Sequence, residues 1–372
     1  MTPEDVTRRD FIGGATAAAA VPVGNRYRSD VDRYAKVCTR SAQESFQSFR
    51  RAVRPDMIWN PFVLRLTRQL QRFGEALEDG ARPRLAICTP PQHGKSTAAE
   101  DFSAWMAGRN PDFKTIYASY SQDLSTRMNL NLQRTLQSGR FRYAFPNLSI
   151  GLTGWTMNTG LIEYVGHGGS FRSTTIEGKI TGMELNLGIL DDFVKGRAEA
   201  NSRNARDMTW GWFTDDFFTR FSKDSAFLTI CTRWHIDDVI GRLKRKWPDM
   251  LILEFPAIAE KDEGWRKKGE PLFPEHKPLD FLLERKALMS PGSWQAEYQQ
   301  HPILIGDSTF PVEKLRVVQV FQRTEIASSV LSIDKAGTAG GDGSYTAIVL
   351  MHKMKDGTFV RHVGAGFLRR MW

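Results

Sequence analysis

The sequence predicts an α/β fold, a mainly parallel sheet with crossover helices, followed by a smaller antiparallel unit. Short apolar runs alternate with amphipathic segments between residues 85 and 255, which is typical of parallel strands joined by helices. After residue 326 the strands follow one another closely, and Lys355-Asp356-Gly357 forms an Asp-Gly hairpin signal. A chain of 372 residues is long enough for two domains with a sizeable core.

The individual elements follow from local patterns. In the first domain we expect strands over residues 85–88, 115–119, 185–190, 226–231 and 251–255, with helices over 96–108 and 123–137. A basic helical lead-in over residues 26–73 is expected to end at Gly74 and Gly80, and residues 257–310 are expected to be irregular. Second-domain strands are expected over 330–334, 345–350 and 358–363. The predicted organisation is an arm (1–30), a domain with its lead-in (31–300), a linker (301–326) and the start of a second domain (327–372).

Charge and cysteine content narrow the class of partner and compartment. Lys and Arg outnumber Asp and Glu by 51 to 42, and the resulting formal charge of +9 favours a polyanion such as nucleic acid. No apolar run approaches the roughly 20 residues that a membrane span requires. Cys38, Cys88 and Cys231 are too widely spaced for a disulfide framework or a zinc cluster, which favours a reducing cytosol.

The N-terminal segment gives a conflicting signal. Arg8-Arg9 precedes a short, weakly apolar stretch over residues 13–23, which has the pattern of a twin-arginine export signal. The other interpretation is an arm whose arginine pair contacts DNA or a partner subunit. We favour the arm because the rest of the chain describes intracellular chemistry, and export remains the alternative.

A phosphate-binding loop is predicted between the first strand and the first helix. Its backbone N–H groups would curl around phosphate, Lys95 would reach the terminal phosphates, and the Ser96 hydroxyl would bind Mg²⁺. Thr89 stands where such loops usually begin with glycine. The predicted ATP-binding residues are Gln92, His93, Gly94, Lys95, Ser96 and Thr97. A chance Gly-Lys-Ser sequence at a helix start is the alternative, and the acidic pair downstream argues against it.

Polar residues follow two further strands. Asp191 and Asp192 end the strand at 185–190; the first would hold Mg²⁺, and the second would orient and deprotonate the attacking water. Thr232 and Arg233 end the strand at 226–231, where a hydroxyl and a guanidinium lie near nucleotide by the switch-point rule. Lys95, Asp192, Thr232 and Arg233 are therefore the candidate catalytic residues.

Five blocks together resemble the large terminase subunit of tailed bacteriophages. They are PPQHGKS at 90–96, ASYSQDL at 118–124, LDD at 190–192, TRWHIDD at 232–238 and WQAEYQQ at 294–300. Five blocks in the expected order are far more specific than any one of them, and the resemblance covers the chain from residue 54 onward.

This resemblance implies an ATP- and Mg²⁺-dependent motor that translocates double-stranded DNA into a procapsid, followed by an RNase H-like nuclease domain. It also implies a terminase small subunit, a portal protein and further copies of this chain on the portal as partners. The setting would be the cytoplasm of the bacterial host, with no membrane partner. Thr232 and Arg233 would lie in the segment that couples hydrolysis to movement.

The chain departs from the family pattern at the loop. Related phosphate loops often carry an arginine at the position of Gln92, and the resemblance implies that this arginine stabilises transition-state charge. Gln92 cannot act as a cation. Arg127, Arg233 or a neighbouring subunit are the possible replacements, and the sequence leaves the choice open.

A second departure lies at the C-terminal end. Asp334 resembles the first carboxylate of a two-metal (Mg²⁺ or Mn²⁺) nuclease site, with Asp342 as a possible second ligand. The family's remaining acidic positions would follow Trp372, so nuclease activity is expected to be absent or incomplete in this chain. The rival functions are another P-loop DNA translocase or helicase, and a split prophage remnant that serves only as a binding component.

Overall fold

The computed structural model describes residues 39–178, 180, 182–303, 322–334 and 347–362. The chain divides into two compact units, Met1–Ile305 and Gly306–Trp372. Three sequence features singled out above, Arg8-Arg9, Cys38 and Asp342, lie outside the described residues, as does most of the predicted linker.

The first unit is built on a seven-stranded sheet. Its strands are β1 (Arg84–Cys88), β2 (Lys114–Ser119), β3 (Leu161–Glu163), β4 (Ser170–Thr175), β5 (Leu185–Asp191), β6 (Phe221–Cys231) and β7 (Leu251–Glu254). They lie in the order β3-β4-β2-β5-β6-β1-β7, and every neighbouring pair is parallel except β3 with β4. The predicted α/β class is confirmed. Since β6 lies between β1 and β5, the segments that follow these three strands meet at one edge of the sheet.

Helices cover both faces of this sheet. They are α1 (Phe46–Val53), α2 (Pro61–Glu78), α3 (Lys95–Arg109), α4 (Gln122–Gln137), α5 (Gly139–Ala144), α6 (Arg197–Asn201), α7 (Arg203–Gly211), α8 (Val239–Lys246), α9 (Leu279–Leu288) and α10 (Pro291–Ser293). π-helical turns extend over Trp212–Phe217 and Trp294–Tyr298, and 3₁₀ turns over Phe218–Arg220 and Arg323–Glu325. The helix after the phosphate loop, α3, is buried on nearly all sides because α1 and α2 cover the face that the sheet does not. Among the helices described, none combines the length and apolar character that a bilayer crossing requires.

Three predictions about elements were wrong or incomplete. The lead-in helix α2 continues through Gly74 to Glu78 instead of breaking at Gly74, because tertiary packing favours a glycine inside the helix at that point. Residues 257–310 contain α9, which the density of proline and glycine around it concealed. Strands β3 and β4 were not predicted, because β3 has only three residues and β4 is mostly polar, so neither gives a clear hydrophobic signal.

The second unit contains a three-stranded antiparallel sheet. Its strands are β8 (Ile326–Asp334), β9 (Ala347–Met354) and β10 (Phe359–His362), in the order β10-β9-β8. Gly357 has a φ of 86° in the turn between β9 and β10, which confirms the predicted Asp-Gly hairpin. Asp334 is the last residue of β8.

Candidate functional site

The loop between β1 and α3 has the backbone that phosphate binding requires. Gln92 and Gly94 have φ values of 60° and 79°, both in the left-handed region. Gly94 caps the N-terminus of α3, and the space beside its Cα is open, since a Cβ there would meet nothing within 4 Å. A helix start of this kind presents free backbone N–H groups and a positive dipole end to an anion.

His93 stabilises the loop from beneath. Its side chain is buried, and its Nδ1 donates to the carbonyl of Pro91 at 2.9 Å. Its ring packs against Phe62 in a T-shaped arrangement, with 6.4 Å between the ring centroids. Burial lowers the pKa of His93 to about 4, against the opposing hydrogen bond to Pro91, and nearby positive charges, that of Lys277 first, lower it further. The imidazole is therefore neutral at physiological pH, which keeps an additional charge out of the loop's interior.

The lysine at the start of α3 contacts the acidic pair at the end of β5. Lys95 Nζ lies 2.7 Å from Asp192 Oδ2. Burial lowers the pKa of Lys95, but the charges of Asp192 and then Asp191 outweigh this effect and leave it raised. The predicted loop lysine and the predicted acidic pair are thus in one site, although they are almost a hundred residues apart in sequence.

Asp191 is the more buried of the two carboxylates. Its Oδ2 accepts a hydrogen bond from the Tyr117 hydroxyl at 2.9 Å, whereas its buried Oδ1 has no hydrogen-bond partner among the described residues. Burial and then the charge of Asp192 raise the pKa of Asp191 to about 6, against the opposing effects of Lys95, the Ser96 hydroxyl and Tyr117. A buried carboxylate oxygen without a partner is costly unless a ligand completes it.

Thr232 connects the loop to the acidic pair. Its backbone N–H donates to Asp192 Oδ1 at 3.0 Å, and its hydroxyl donates to the carbonyl of Thr89 at 3.2 Å. Asp192 itself has a φ of 36°, a conformation that a non-glycine residue rarely adopts and that is often found at functional sites. One residue at the end of β6 therefore contacts both other components of the site.

Arg233 is placed differently from its neighbour. Its buried guanidinium pairs with Asp238 at 2.8 Å and with Glu254 at 3.2 Å, and its backbone N–H donates to Gln300 Oε1 at 3.1 Å. Two carboxylates therefore already hold the charge of Arg233. The contact with Gln300 joins the TRWHIDD and WQAEYQQ blocks, and sequence reasoning identified both blocks without finding this connection.

A cavity of 530 Å³ adjoins the loop. It is lined by Gln92 to Thr97 of the loop together with Arg50, Asp56, Met57, Ile58, Val63, Leu66, Phe273 and His276. Its volume falls in the range that small-molecule and cofactor sites occupy, and its apolar side chains suit a planar ring. The lead-in before β1 therefore forms one wall of the site.

Fold and site together define the class. These features define a P-loop NTPase. They are a mainly parallel sheet, a loop with two residues in the left-handed region that leads into α3, and an acidic pair at the end of β5 that contacts the loop lysine.

Comparison with known proteins narrows this class. The family described as terminase large subunit, T4likevirus-type, N-terminal, matches residues 86–316, which is more than half of the chain. Among solved structures, the large terminase ATPase domain of Thermus phage P74-26 is 15% identical, with a TM-score of 0.43, over 62% of this chain and 93% of that one. The large terminase of a thermophilic bacteriophage, solved with ADP, is 12% identical, with a TM-score of 0.40, over 82% of this chain and 68% of that one. No curated protein matches.

The chain therefore belongs to the terminase large subunit family. Membership assigns it to the ATPases of phage DNA packaging, as the five sequence blocks indicated.

Proposed function

We propose that this chain hydrolyses ATP at the edge of the sheet where β1, β5 and β6 end, and that hydrolysis drives the movement of double-stranded DNA. The observation that carries the proposal is the contact of Lys95 with Asp192, to which Thr232 also donates. In this assignment Lys95 binds the terminal phosphates, Asp192 is the general base, and Thr232 senses the γ-phosphate. Residues 92–97 hold the phosphates through the loop backbone and the start of α3.

The ion pair supports a sequence of events. In the contact described above, Lys95 neutralises the charge of Asp192. A triphosphate carries more negative charge than one carboxylate, so it draws Lys95 toward the phosphates. Asp192 then keeps its Oδ1 contact with the Thr232 N–H and has a free Oδ2 that can accept a proton from the attacking water.

The residues present also fit a magnesium ion. The unpartnered Oδ1 of Asp191 and the Ser96 hydroxyl, whose proximity affects the pKa of Asp191, are the hard oxygen ligands that Mg²⁺ prefers. When bound, Mg²⁺ would neutralise charge on the β- and γ-phosphates. Asp191 must be ionised to bind the ion, so its raised pKa predicts that Mg²⁺ affinity falls as pH falls through about 6.

The proposal extends to nucleotide base, partners and the second unit. The apolar cavity beside the loop would hold adenine. Family membership and the +9 charge support DNA, a terminase small subunit, a portal protein and further copies of this chain as partners, in the host cytoplasm. Asp334 at the end of β8 would provide the first metal ligand of an RNase H-like nuclease.

ATP turnover by the purified chain, with and without linear double-stranded DNA, tests the ATPase assignment. We expect DNA-stimulated turnover that falls at least about 1,000-fold in Lys95→Ala, because this removes a cation from the transferring phosphoryl group. Circular dichroism must show that the variant is folded. Turnover unchanged in folded Lys95→Ala would contradict the assignment, and duplex unwinding by the wild type would favour the helicase alternative.

A further inference from the structure

A lysine far from the phosphate loop in sequence contacts the residue at which the loop departs from its family. Lys277 Nζ donates a hydrogen bond to Gln92 Oε1 at 2.9 Å. The loop carries an amide here in place of a cation, and the structure brings a cation to that amide from the turn that precedes α9.

The position of Lys277 is fixed by packing on both sides. Its backbone N–H donates to the carbonyl of Phe273 at 2.7 Å, and the Phe273 ring packs against Phe62, the ring that also meets His93 beneath the loop. The Lys277 ammonium lies over the ring of Phe281, 4.7 Å from its centroid. This turn is therefore anchored to the loop through an aromatic cluster.

Among the residues that the structure describes, the charge of Lys277 is not held by a carboxylate, in contrast to the charges of Lys95 and Arg233. Lys95 is paired with Asp192, and Arg233 is paired with Asp238 and Glu254. Within the described ranges, no carboxylate forms an ion pair with Lys277. An ammonium has three N–H donors, so the bond to Gln92 leaves others for phosphate oxygens.

We propose that Lys277 supplies, from within the same chain, the cation that stabilises the transferring phosphoryl group, and that Gln92 positions it. This role rests on the ATPase function proposed above. In that reaction the bond from the γ-phosphorus to the β–γ bridging oxygen breaks, and a bond to the water oxygen forms. The water proton passes to Asp192, and a positive group near the phosphoryl oxygens stabilises the charge that they carry.

Glutamine is suited to this role because of what an amide can accept. Its carbonyl oxygen accepts from an ammonium, whereas a guanidinium has only donors and would repel Lys277. Gln92 and Lys277 together would then replace the single loop arginine of related sequences. If so, an arginine placed at position 92 should compensate for the loss of Lys277, and this can be tested.

Three single variants separate the role of Lys277 from a general surface effect. Lys277→Ala is expected to lower kcat for ATP about 10- to 100-fold, with KM changed less than about threefold, because a group that acts on the transition state affects kcat most. Lys277→Arg is expected to keep most of the turnover. Lys268→Ala is the matched control: it removes another positive charge from an exposed lysine that no described contact joins to the loop.

Nucleotide binding gives a readout without turnover. Affinity for a fluorescent ADP should change less than about threefold in Lys277→Ala. Affinity for the same ADP with aluminium fluoride, which imitates the transferring phosphoryl group, should fall about as much as kcat. The double variant Gln92→Arg with Lys277→Ala should recover both quantities, because the loop then carries its own cation.

The outcomes distinguish this inference from the ATPase proposal. If the wild type turns over ATP and Lys95→Ala does not, while Lys277→Ala stays within about twofold of wild type, the role of Lys277 is overturned and the ATPase proposal stands. Equal losses of affinity for ADP and for its aluminium fluoride complex would also overturn it. Absence of ATP turnover in the wild type would overturn both.

Discussion

Two buried aspartates, Asp101 in α3 and Asp191 at the end of β5, have different surroundings. We call the packing of α1 and α2 against α3 the lead-in interface, and the ends of β1, β5 and β6 the nucleotide edge. At the lead-in interface, Asp101 accepts from Arg50 Nε at 2.9 Å and from Arg54 Nε at 2.5 Å, so both carboxylate oxygens have cationic partners. At the nucleotide edge, Asp191 has one oxygen bound to Tyr117 and one with no described partner.

The difference in hydrogen-bond partners distinguishes groups that stabilise the fold from groups that could bind a ligand. Arg50 also donates to Thr67 at 2.7 Å, so these charges of the lead-in interface are satisfied internally and join α1 to both α2 and α3. At the nucleotide edge, Lys95 pairs with Asp192, a contact that a phosphate could replace, and Asp191 Oδ1 has no described partner. An unpartnered buried oxygen destabilises the fold, but it can bind a ligand. The two aspartates should therefore respond to substitution with opposite signs.

Asp101→Ala should have the largest effect on stability. It leaves the guanidinium of Arg50, whose side chain is only 3% exposed, without its carboxylate, and breaking a buried ion pair in this way costs about 3–5 kcal/mol. The free energy of unfolding in urea measures this loss. Asp249→Ala, at an exposed turn, is the control and should change stability by less than about 0.5 kcal/mol.

A loss below about 1 kcal/mol in Asp101→Ala would remove the basis of the comparison, since it would mean that the lead-in interface does not depend on its buried charges.

Asp191→Asn should stabilise the nucleotide-free protein above pH 6. The pKa of Asp191 is about 6 in the fold and about 3.9 in an unfolded chain, so the folded state binds more protons between these values. The penalty for ionised Asp191 is therefore present above pH 6 and disappears as pH falls from 6 to 4. We expect the variant to gain about 1–3 kcal/mol at pH 8 and nothing at pH 4.

Urea unfolding at the two pH values measures this gain, and ATP turnover by the same samples should be lost because the proposed Mg²⁺ ligand is gone. Equal stability of variant and wild type at pH 8 would show that Asp191 carries no such penalty. Asp101→Ala, measured alongside at pH 8, should still be destabilised.

The sequence predicted the scaffold of the nucleotide edge well. The strand ends at Cys88, Asp191 and Cys231 are local features, because apolar runs end where polar residues begin, and the parallel order then brings their following segments together. The hairpin at Gly357 was equally local. Family membership confirms what the five blocks indicated.

Contacts between segments that are distant in the chain could not be predicted from the sequence. Lys277 contacts Gln92 across 185 positions of sequence, and it lies in a segment that was predicted to be irregular. One of the two ion pairs of Arg233 depends on Glu254 at the end of β7, a strand whose place beside β1 no local pattern specifies. A charged side chain in a sequence shows that it needs a partner or solvent, but its partner depends on the fold.

Gly74 offers the smallest effect and tests the lead-in interface by shape instead of charge. A Cβ at Gly74 would lie 2.9 Å from Met106 Sδ and 3.1 Å from Trp105 Cζ3, so these side chains of α3, or α3 itself, must shift to admit it. Replacing glycine by alanine inside a helix stabilises the helix by up to about 1 kcal/mol, but overpacking a core costs about 1–3 kcal/mol. We expect Gly74→Ala to lower the free energy of unfolding by about 1 kcal/mol.

Gly211→Ala in α7 is the control, because a Cβ there would meet nothing within 4 Å. It gains the helix propensity of alanine without the clash and should raise the free energy of unfolding by about 0.5 kcal/mol. If both variants were stabilised, the side chains of Met106 and Trp105 would have room to shift, and shape at Gly74 would not limit the contact between α2 and α3.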